Sequence, residues 1–252
     1  KGQLINMTNT ATSFDTIEPI LGEQDVDALV PIEERDDEGN LRMQCTTQGG
    51  QLHGLLLKSS ESGKPLMQAS FNRGKLQGRM TLYEENGLPA QTSEYREGLL
   101  QGQMRIFSQG KCISEQQYIH GKLEGKSATY DLTGQLTSVM HFVAGELHGV
   151  AEFYSQGECV RRANYKHGSL DGESLDFNRY GEVVQRSNYR ANLLEGYFIR
   201  YWPGGEVMER TQYSQGTPVA PTERFDQEGT RVDRNFARPP LLERIKIFLR
   251  GD

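Results

Sequence analysis

The residues of this 252-residue chain that could act as nucleophiles or bases do not form a catalytic pattern. Ser169 lies between two glycines in Gly168-Ser-Leu-Asp-Gly172, which is similar to the turn that presents a nucleophilic serine in hydrolases. In that turn serine takes the third place of Gly-x-Ser-x-Gly, whereas Ser169 takes the second. The same pentad recurs along the chain without serine, which indicates a structural role. We therefore predict no catalytic residue and no enzymatic activity, since catalysis needs several such groups in one pocket.

The five histidines do not have the spacing of metal ligands. His120 and His167 occupy equivalent places two units apart in a repeat of 23 or 24 residues. At the strand spacing of a β-sheet this corresponds to roughly 19 Å, too far for two ligands of one ion. We expect the histidines to lie on surface turns, and we expect no metal and no cofactor. They are His53, His120, His141, His148 and His167.

The three cysteines are too far apart in the repeat to form a disulfide. Cys112 and Cys159 each follow a turn glycine by two residues, in the third and fifth units, and Cys45 precedes the first unit. A disulfide requires Cα atoms within about 7 Å. We therefore predict three free thiols, which leaves the redox compartment open.

An internal repeat determines how these residues are arranged. A Gly-x-Leu-x-Gly pentad returns seven times at a constant interval, and such a period indicates a repeat architecture. In each unit a turn glycine and a closing aromatic follow, and in six units an aromatic lies five residues after the second pentad glycine. Ser59 replaces that aromatic in the first unit, and Asn192 replaces the first glycine of the last, so both end units are modified. The pentads begin at Gly50, Gly74, Gly98, Gly121, Gly145, Gly168 and Asn192.

Each unit has the pattern of a β-hairpin. Residues 79–83 and 90–95 are short runs that tolerate β-structure, and Asn86-Gly87 between them accepts positive φ in a tight turn. We therefore predict an all-β fold, an elongated single-layer twisted antiparallel sheet of tandem hairpins. Seven units at two strands each would extend on the order of 65–70 Å.

The chain divides into three regions. Residues 1–48 form an acidic arm and a degenerate capping hairpin, residues 49–213 hold the seven repeats, and residues 214–252 hold a second degenerate hairpin and a short amphipathic helix. Caps are expected because repeats gain stability from neighbours. The helix is predicted from apolar residues at helical spacing after two prolines, and it either packs on the sheet end or contacts a partner or membrane. Those residues are Leu241, Leu242, Ile245, Phe248 and Leu249.

The two faces of the predicted sheet differ in variability. Positions three and five after the second pentad glycine lie on the aromatic side, which we interpret as uniform scaffold, and positions two and four lie on the opposite, variable side. We expect a packed terminal arm to cover one apolar set of variable residues, Met80, Leu82, Met104 and Ile106. A second set forms the candidate partner-binding patch, although its three aromatic members could instead be core. That patch is Phe153, Asp176, Phe198, Arg200 and Trp202.

Charge and hydropathy exclude several classes of partner. Residues 1–40 hold ten acidic residues against Lys1 and Arg35, a net charge of −8, and the whole chain carries −6. Nucleic-acid binding requires clustered basic residues, so we expect none. No segment approaches the ~18 apolar residues of a transmembrane helix. The acidic arm is either a solvated tail or a mimic of a phosphate-bearing substrate, and exposed end strands could pair with a second copy.

The repeat motif also resembles that of a known family. Tyr95-Arg-Glu-Gly98-Leu-Leu-Gln-Gly102 and the equivalent segment from Tyr118 to Gly125 are similar to the MORN-repeat variant of bacterial antitoxin-like proteins. By length, acidic arm and array size, the chain resembles immunity proteins against type VI secretion phospholipase D effectors. The resemblance implies a periplasmic, lipid-anchored protein that blocks the active site of its cognate effector. The alternatives are a cytoplasmic location and a MORN-type scaffold for protein or membrane association.

Overall fold

The computed structural model describes residues 28–235, which form one antiparallel sheet of 23 strands. Each strand pairs with the neighbours that precede and follow it along the chain, and several units begin with a two-residue strand at the pentad. The strands are β1 Leu29–Arg35, β2 Leu41–Gln48, β3 Gln51–Leu52, β4 Gly54–Ser59, β5 Pro65–Asn72, β6 Lys75–Tyr83, β7 Pro89–Arg96, β8 Leu99–Ser108, β9 Lys111–Ile119, β10 Lys122–Leu123, β11 Gly125–Tyr130, β12 Leu136–Val143, β13 Glu146–Leu147, β14 Gly149–Ser155, β15 Glu158–Lys166, β16 Ser169–Phe177, β17 Val183–Arg190, β18 Leu193–Leu194, β19 Gly196–Tyr201, β20 Val207–Ser214, β21 Thr217–Pro218, β22 Glu223–Phe225 and β23 Arg231–Val232.

The predicted all-β, single-layer antiparallel sheet is confirmed. Beyond the seven repeats the sheet continues at both ends, with the hairpin β1–β2 before the first unit and the short hairpin β22–β23 after the last. The acidic segment 1–27 and the helix predicted from Leu241 to Leu249 lie outside the described residues.

Two-residue turns connect consecutive units at the pentads. Ala144 and Gly145 both have positive φ, 53° and 93°, as the central residues of a type I′ turn require. The amide of Gly145 donates to the carbonyl oxygen of Leu123 at 2.9 Å, which ties this pentad to the preceding one. In the last unit Asn192 keeps a φ of 69°, and its side-chain oxygen accepts a hydrogen bond from the amide of Leu170. The modified unit therefore retains the turn.

The hairpin tips explain why the units are 24 or 23 residues long. In the 24-residue units the tip is a longer turn in which one glycine has positive φ, such as Gly87 with 85°. The sequence indicated positive φ for the pair Asn86-Gly87. Instead, the side-chain oxygen of Asn86 accepts a hydrogen bond from the backbone amide of Leu88. Two units use a two-residue Gln-Gly turn that is one residue shorter. These turns are Gln109-Gly110 and Gln156-Gly157, with both φ values positive.

The register assigns the side chains to two faces, which we call the leucine face and the tyrosine face. The leucine face carries the pentad leucines, the closing aromatics, and the second and fourth residues after the second pentad glycine. Tyr95 lies opposite Gly78, so it shares this face with Met80 two residues further on. The tyrosine face carries the third and fifth residues, and there the hydroxyl of Tyr83 donates to Gln68.

The expectation that one side is aromatic scaffold and the other side is variable is therefore wrong in part. The aromatics at position five lie on the tyrosine face, but the closing aromatics lie on the leucine face because each pairs with a pentad glycine of that face. Scaffold and variable residues consequently share the leucine face. Only position four remains free to vary without disturbing the packing.

A middle row, in which small residues are the most frequent, forms the core of the leucine face. The row consists of position two of each unit and the residue two before each closing aromatic, and these lie opposite one another across the strands. Small side chains there are covered by the larger rows on either side, which is how a single layer buries residues without a second sheet. The most buried members, at 2% exposure or less, are Leu56, Ala69, Ser93, Ala151, Ala163, Ser174 and Ser187.

Candidate partner-binding surface

A continuous row of position-four residues crosses the leucine face next to the middle row. Directly opposed residues of an antiparallel pair project to the same face, so the register defines this row without a break. Lys58 of the first unit precedes Met67 in this row, and from Met67 to Phe153 the row carries no charge. The members of that part are Met67, Leu82, Gln91, Ile106, Ser114, Thr129, Ser138 and Phe153.

The same row becomes charged after Phe153, and we call this second part the charged row. It spans β15 to β22, five strand steps or about 24 Å. Arginine and acidic side chains alternate along the row, and one glutamine lies in the middle. Its members are Arg161, Asp176, Gln185, Arg200, Glu209 and Arg224.

Asp176 lies at the centre of the first charge group. Its carboxylate is 3.3 Å from Nε of Arg161 and accepts a hydrogen bond of 2.8 Å from Nε2 of Gln185. Nε of Arg161 also donates to Oγ of the buried Ser174 at 3.4 Å. The Arg161 side chain remains 42% exposed, so its guanidinium is positioned by these bonds and still accessible to a partner.

Glu209 lies at the centre of the second charge group. Its Oε1 is 3.2 Å from Nη1 of Arg200, and its Oε2 is 3.6 Å from Nε of Arg224. Glu209 is only 19% exposed, whereas Arg200 is 51% exposed. In both groups the carboxylates are less exposed than the neighbouring arginine, so the outermost charges of the row are positive.

A hollow of about 320 Å³ opens between the two charge groups. Trp202 forms part of its wall, and Nε1 of Trp202 donates to the carbonyl oxygen of Phe225 at 3.0 Å on strand β22. This bond holds the indole against the end hairpin, so the aromatic wall is fixed before any partner binds. The lining residues are Asp176, Val184, Gln185, Arg200, Tyr201, Trp202, Pro203 and Met208.

The structure brings together three of the five residues of the predicted patch. Asp176, Arg200 and Trp202 line the hollow. Phe153 lies opposite Arg161 at the end of the charged row, two strands before Asp176. Phe198 occupies the middle row and packs edge-on against Tyr213, with ring centroids 6.4 Å apart, so it belongs to the scaffold.

Sequence reasoning missed the cross-strand partners of the patch. Arg161, Gln185 and Glu209 lie on strands for which the repeat analysis considered only the closing aromatics. The sequence pattern that could have identified them is their constant distance from the closing aromatics, since each lies four residues before Tyr165, Tyr189 or Tyr213.

A second missed feature is an exposed aromatic at the tip of the β16–β17 hairpin. Tyr180 is 72% exposed, and the guanidinium carbon of Arg179 lies 4.8 Å from its ring centroid. Nη2 of Arg179 also donates to the Tyr180 hydroxyl at 2.6 Å. Tyrosine and arginine are enriched among residues that dominate binding energy, so this tip extends the candidate surface.

Two histidines that the sequence analysis treated separately are in contact. The rings of His148 and His167 are 5.4 Å apart and perpendicular, and Nδ1 of His167 is 3.1 Å from Oε2 of Glu146. They meet because the histidine of one pentad lies beside the turn that precedes the next. Between residues 28 and 235 no group of three histidine, cysteine or acidic side chains has the arrangement of a metal site.

The three cysteines are free thiols in the structure. Cys45 is buried in the middle row, and burial raises the pKa of its thiol. Desolvation also raises the pKa of Cys112, whose Sγ contacts the carbonyl oxygen of Ser114. Thiols that remain protonated are weak nucleophiles, so Cys45 and Cys112 have the properties of packing residues.

Within residues 28–235 there is no helix with the length and hydrophobicity needed to span a bilayer.

Comparisons with known proteins do not place the chain in a family. No protein-family model matches it, and no curated protein does. Among solved structures, a mutant of S. aureus TarM is 14% identical with a TM-score of 0.29, over 37% of this chain and 19% of that chain. A TcdB2-TccC3-Cdc42 structure is 15% identical with a TM-score of 0.22, over 79% of this chain and 14% of that chain. The chain therefore spans less than a fifth of either, and similarity this low carries no argument about its function.

Proposed function

We propose that this protein is a binding protein of the immunity type, which inhibits a cognate secreted phospholipase by covering its active site. The observation that carries the proposal is the charged row beside the Trp202 hollow on an otherwise regular repeat framework. The partner class comes from the resemblance of the repeat motif to MORN-type immunity proteins. The same resemblance supports a periplasmic, lipid-anchored protein.

The charged row and the hollow beside it contain arginine and tryptophan, which are enriched in protein interfaces. Affinity in such interfaces comes from a few aromatic and arginine anchors surrounded by contacts that exclude water. Trp202, Arg200 and Arg161 supply such anchors within about 24 Å, and Tyr180 adds one at the neighbouring tip. A row of this length exceeds most small-molecule ligands, and its fixed side chains reduce the entropy cost of binding.

The charges also suit a partner whose contact surface is acidic or of mixed charge. The outer groups, Arg161 and Arg200, are more exposed than the carboxylates that hold them. Complementary charges would increase the association rate and fix the register of the complex.

The test is inhibition by matched single variants. Arg200 on the leucine face and Arg186 on the tyrosine face are 51% and 54% exposed, and each is paired with a glutamate on the neighbouring strand. We expect Arg200→Ala to weaken binding to the phospholipase effector at least tenfold, because truncating a charged anchor costs about 2 kcal/mol or more. Arg186→Ala should bind and inhibit as the parent protein does.

Titration calorimetry and a lipase assay with the purified effector measure these effects. Equal loss in both variants, or loss in neither, would place the interface elsewhere. Liposome flotation of the protein without effector tests the alternative of a membrane-associated scaffold. Strong flotation without any inhibition of the effector would reject the immunity function.

A further inference from the structure

The two histidines in ring contact, His148 and His167, lie at the long edge of the sheet that carries the pentad turns. Their ring centroids are 5.4 Å apart, and the rings are inclined by 77° to each other. The side chain of His167 is 71% exposed, and His148 is half-buried beside it. A small ion can therefore reach both rings directly from solvent.

The repeat explains why these two residues meet. In five other units the fourth pentad residue accepts a hydrogen bond from the amide of the turn residue that precedes the next pentad. The side chain of Gln101, for example, accepts from the amide of His120 at 2.9 Å. His148 and His167 occupy the same two places, so the backbone holds them side by side. The other acceptors are Gln77, Glu124, Asp171 and Glu195, and their donors are Glu97, Ala144, Ala191 and Gln215.

Only one of the seven pentads combines histidine at both places. His53 occupies the fourth pentad position of the first unit, but Arg73 takes the turn position that follows it. His120 occupies a turn position, but Gln101 takes the pentad position before it. These two histidines have the same backbone surroundings as the pair and lack its second ring, so they are matched controls.

A carboxylate orients one ring of the pair. Nδ1 of His167 is 3.1 Å from Oε2 of Glu146, two residues before His148 in the same pentad. When Nδ1 donates to this carboxylate, Nε2 carries the lone pair that can bind a metal ion. A carboxylate on the far nitrogen is the usual support of a metal-bound histidine, because it fixes the tautomer and increases the basicity of the ring.

The spacing of the rings fits a shared ion. With Zn–N bonds of about 2.1 Å at the tetrahedral angle, the centres of two bound imidazoles lie roughly 5 Å apart. The observed 5.4 Å is close to this value. Imidazole nitrogen is a good ligand for zinc, copper and nickel, whereas magnesium and calcium prefer oxygen. We propose that His148 and His167 bind one divalent ion of the zinc type, with Glu146 orienting His167 and water completing the coordination.

The site needs only two protein ligands. It is therefore compatible with the finding that no three histidine, cysteine or acidic side chains of residues 28–235 are arranged around one ion. The expectation of no metal rested on His120 and His167, which are two units apart, whereas His148 and His167 belong to consecutive units. The proposal concerns the turn edge of the sheet and does not depend on the phospholipase effector.

Calorimetric titration of the full chain with zinc chloride tests the site. We expect one Zn²⁺ per chain, and we expect His148→Ala and His167→Ala each to lose measurable binding. Glu146→Gln should weaken binding about tenfold, the lower end of the effect of removing a partner of a metal-bound histidine. His53→Ala and His120→Ala should bind as the parent chain does. Circular dichroism of each variant checks that the sheet is retained.

Transplanting the site to another unit provides a test by gain of binding. His120 already occupies the turn position there, and Leu99 occupies the place of Glu146 in its pentad. A chain that carries both Gln101→His and Leu99→Glu should therefore bind two Zn²⁺ ions. Continued binding of a single ion by that chain, unchanged binding by His148→Ala, equal loss in His120→Ala, or one ion shared by two chains would overturn the proposal.

Discussion

The two halves of the leucine face share one backbone and differ in the side chains that it carries. In the first half, from β5 to β12, the middle row combines small residues with Met80, Met104, Gln116 and Met140, and position four is uncharged. In the second half the middle row is small from Ala151 to Ser187, and the row that contains position four is charged from Arg161 onward except at Gln185. The difference shows that the turns and aromatics specify the framework. The position-four residue of each unit and the residue opposite it on the paired strand determine what the surface can bind.

The largest expected effect comes from exchanging the middle-row residues of the two halves. Ala151 has no exposed surface and lies opposite the equally buried Ala163. Ala151→Met should therefore lower the free energy of unfolding by about 1–3 kcal/mol, since extra volume forces neighbours out of their rotamers. Met104→Leu, a change of shape at nearly constant volume in the first half, should cost less than about 1.5 kcal/mol.

Urea unfolding followed by circular dichroism measures both values. If the two variants lost stability equally, the halves would not differ in packing, and the comparison would have to rest on charge alone.

A smaller effect, in this case a gain in stability, is expected from the pentad turns, which have similar φ values in both halves. Arg73 and Ala191 have φ values of 46° and 48°, a region that is unfavourable for residues with a Cβ atom. Arg73→Gly in the first half and Ala191→Gly in the second should each stabilise the protein by roughly 1 kcal/mol. The gains should agree within about 0.5 kcal/mol in urea unfolding. A gain in one half only would show that the framework is not uniform.

A buried hydroxyl in the second half predicts a similar but smaller gain. Ser187 is 1% exposed, and its Oγ has no hydrogen-bond partner among residues 28–235. Ser187→Ala should be neutral or stabilising by up to about 1 kcal/mol, because it removes an unsatisfied polar group at nearly constant volume. Ser174→Ala is the control, since Ser174 accepts a hydrogen bond from Arg161 and should lose stability instead. Destabilisation by Ser187→Ala would indicate a partner for this hydroxyl.

The smallest effect concerns the tyrosine face of the second half. The Tyr154 hydroxyl, which donates to Glu152 at 2.8 Å, and the Arg162 guanidinium hold the pKa of Glu152 below its usual range. Because the folded pKa is lowered, this stabilisation is present above the unfolded pKa near 4.5 and is lost as pH falls through the lower folded value. Exposed pairs of this kind contribute roughly 0.2–1 kcal/mol.

Tm measured between pH 7 and pH 3 tests this dependence. Glu152→Gln should lower Tm slightly at pH 7 and make the decrease toward pH 3 shallower, and Tyr154→Phe should have part of the same effect. A decrease as steep in Glu152→Gln as in the parent protein would assign the acid sensitivity to other carboxyl groups.

Much of the candidate surface could be predicted from the spacing of residues in the repeat, but the cross-strand contacts between those residues could not. The alternation of strand residues correctly placed Asp176 and Arg200 on one face, and Trp202 beside them. It did not show that Gln185 lies between the first two, because that requires the register of strands 9 to 15 residues apart in sequence. It also grouped Phe198 with them, although packing against Tyr213 makes that ring part of the scaffold.

The amino-acid sequence by itself determined the repeat, the hairpins and the single-layer sheet, because glycine and aromatic spacing restrict the backbone locally within each unit. Only the tertiary structure decided which rows share a face and which charges touch. Those contacts depend on turn length and β-bulges, such as the register shift between Asp176 and Phe177. A slip of one residue in the pairing register of a strand would turn its whole row to the opposite face.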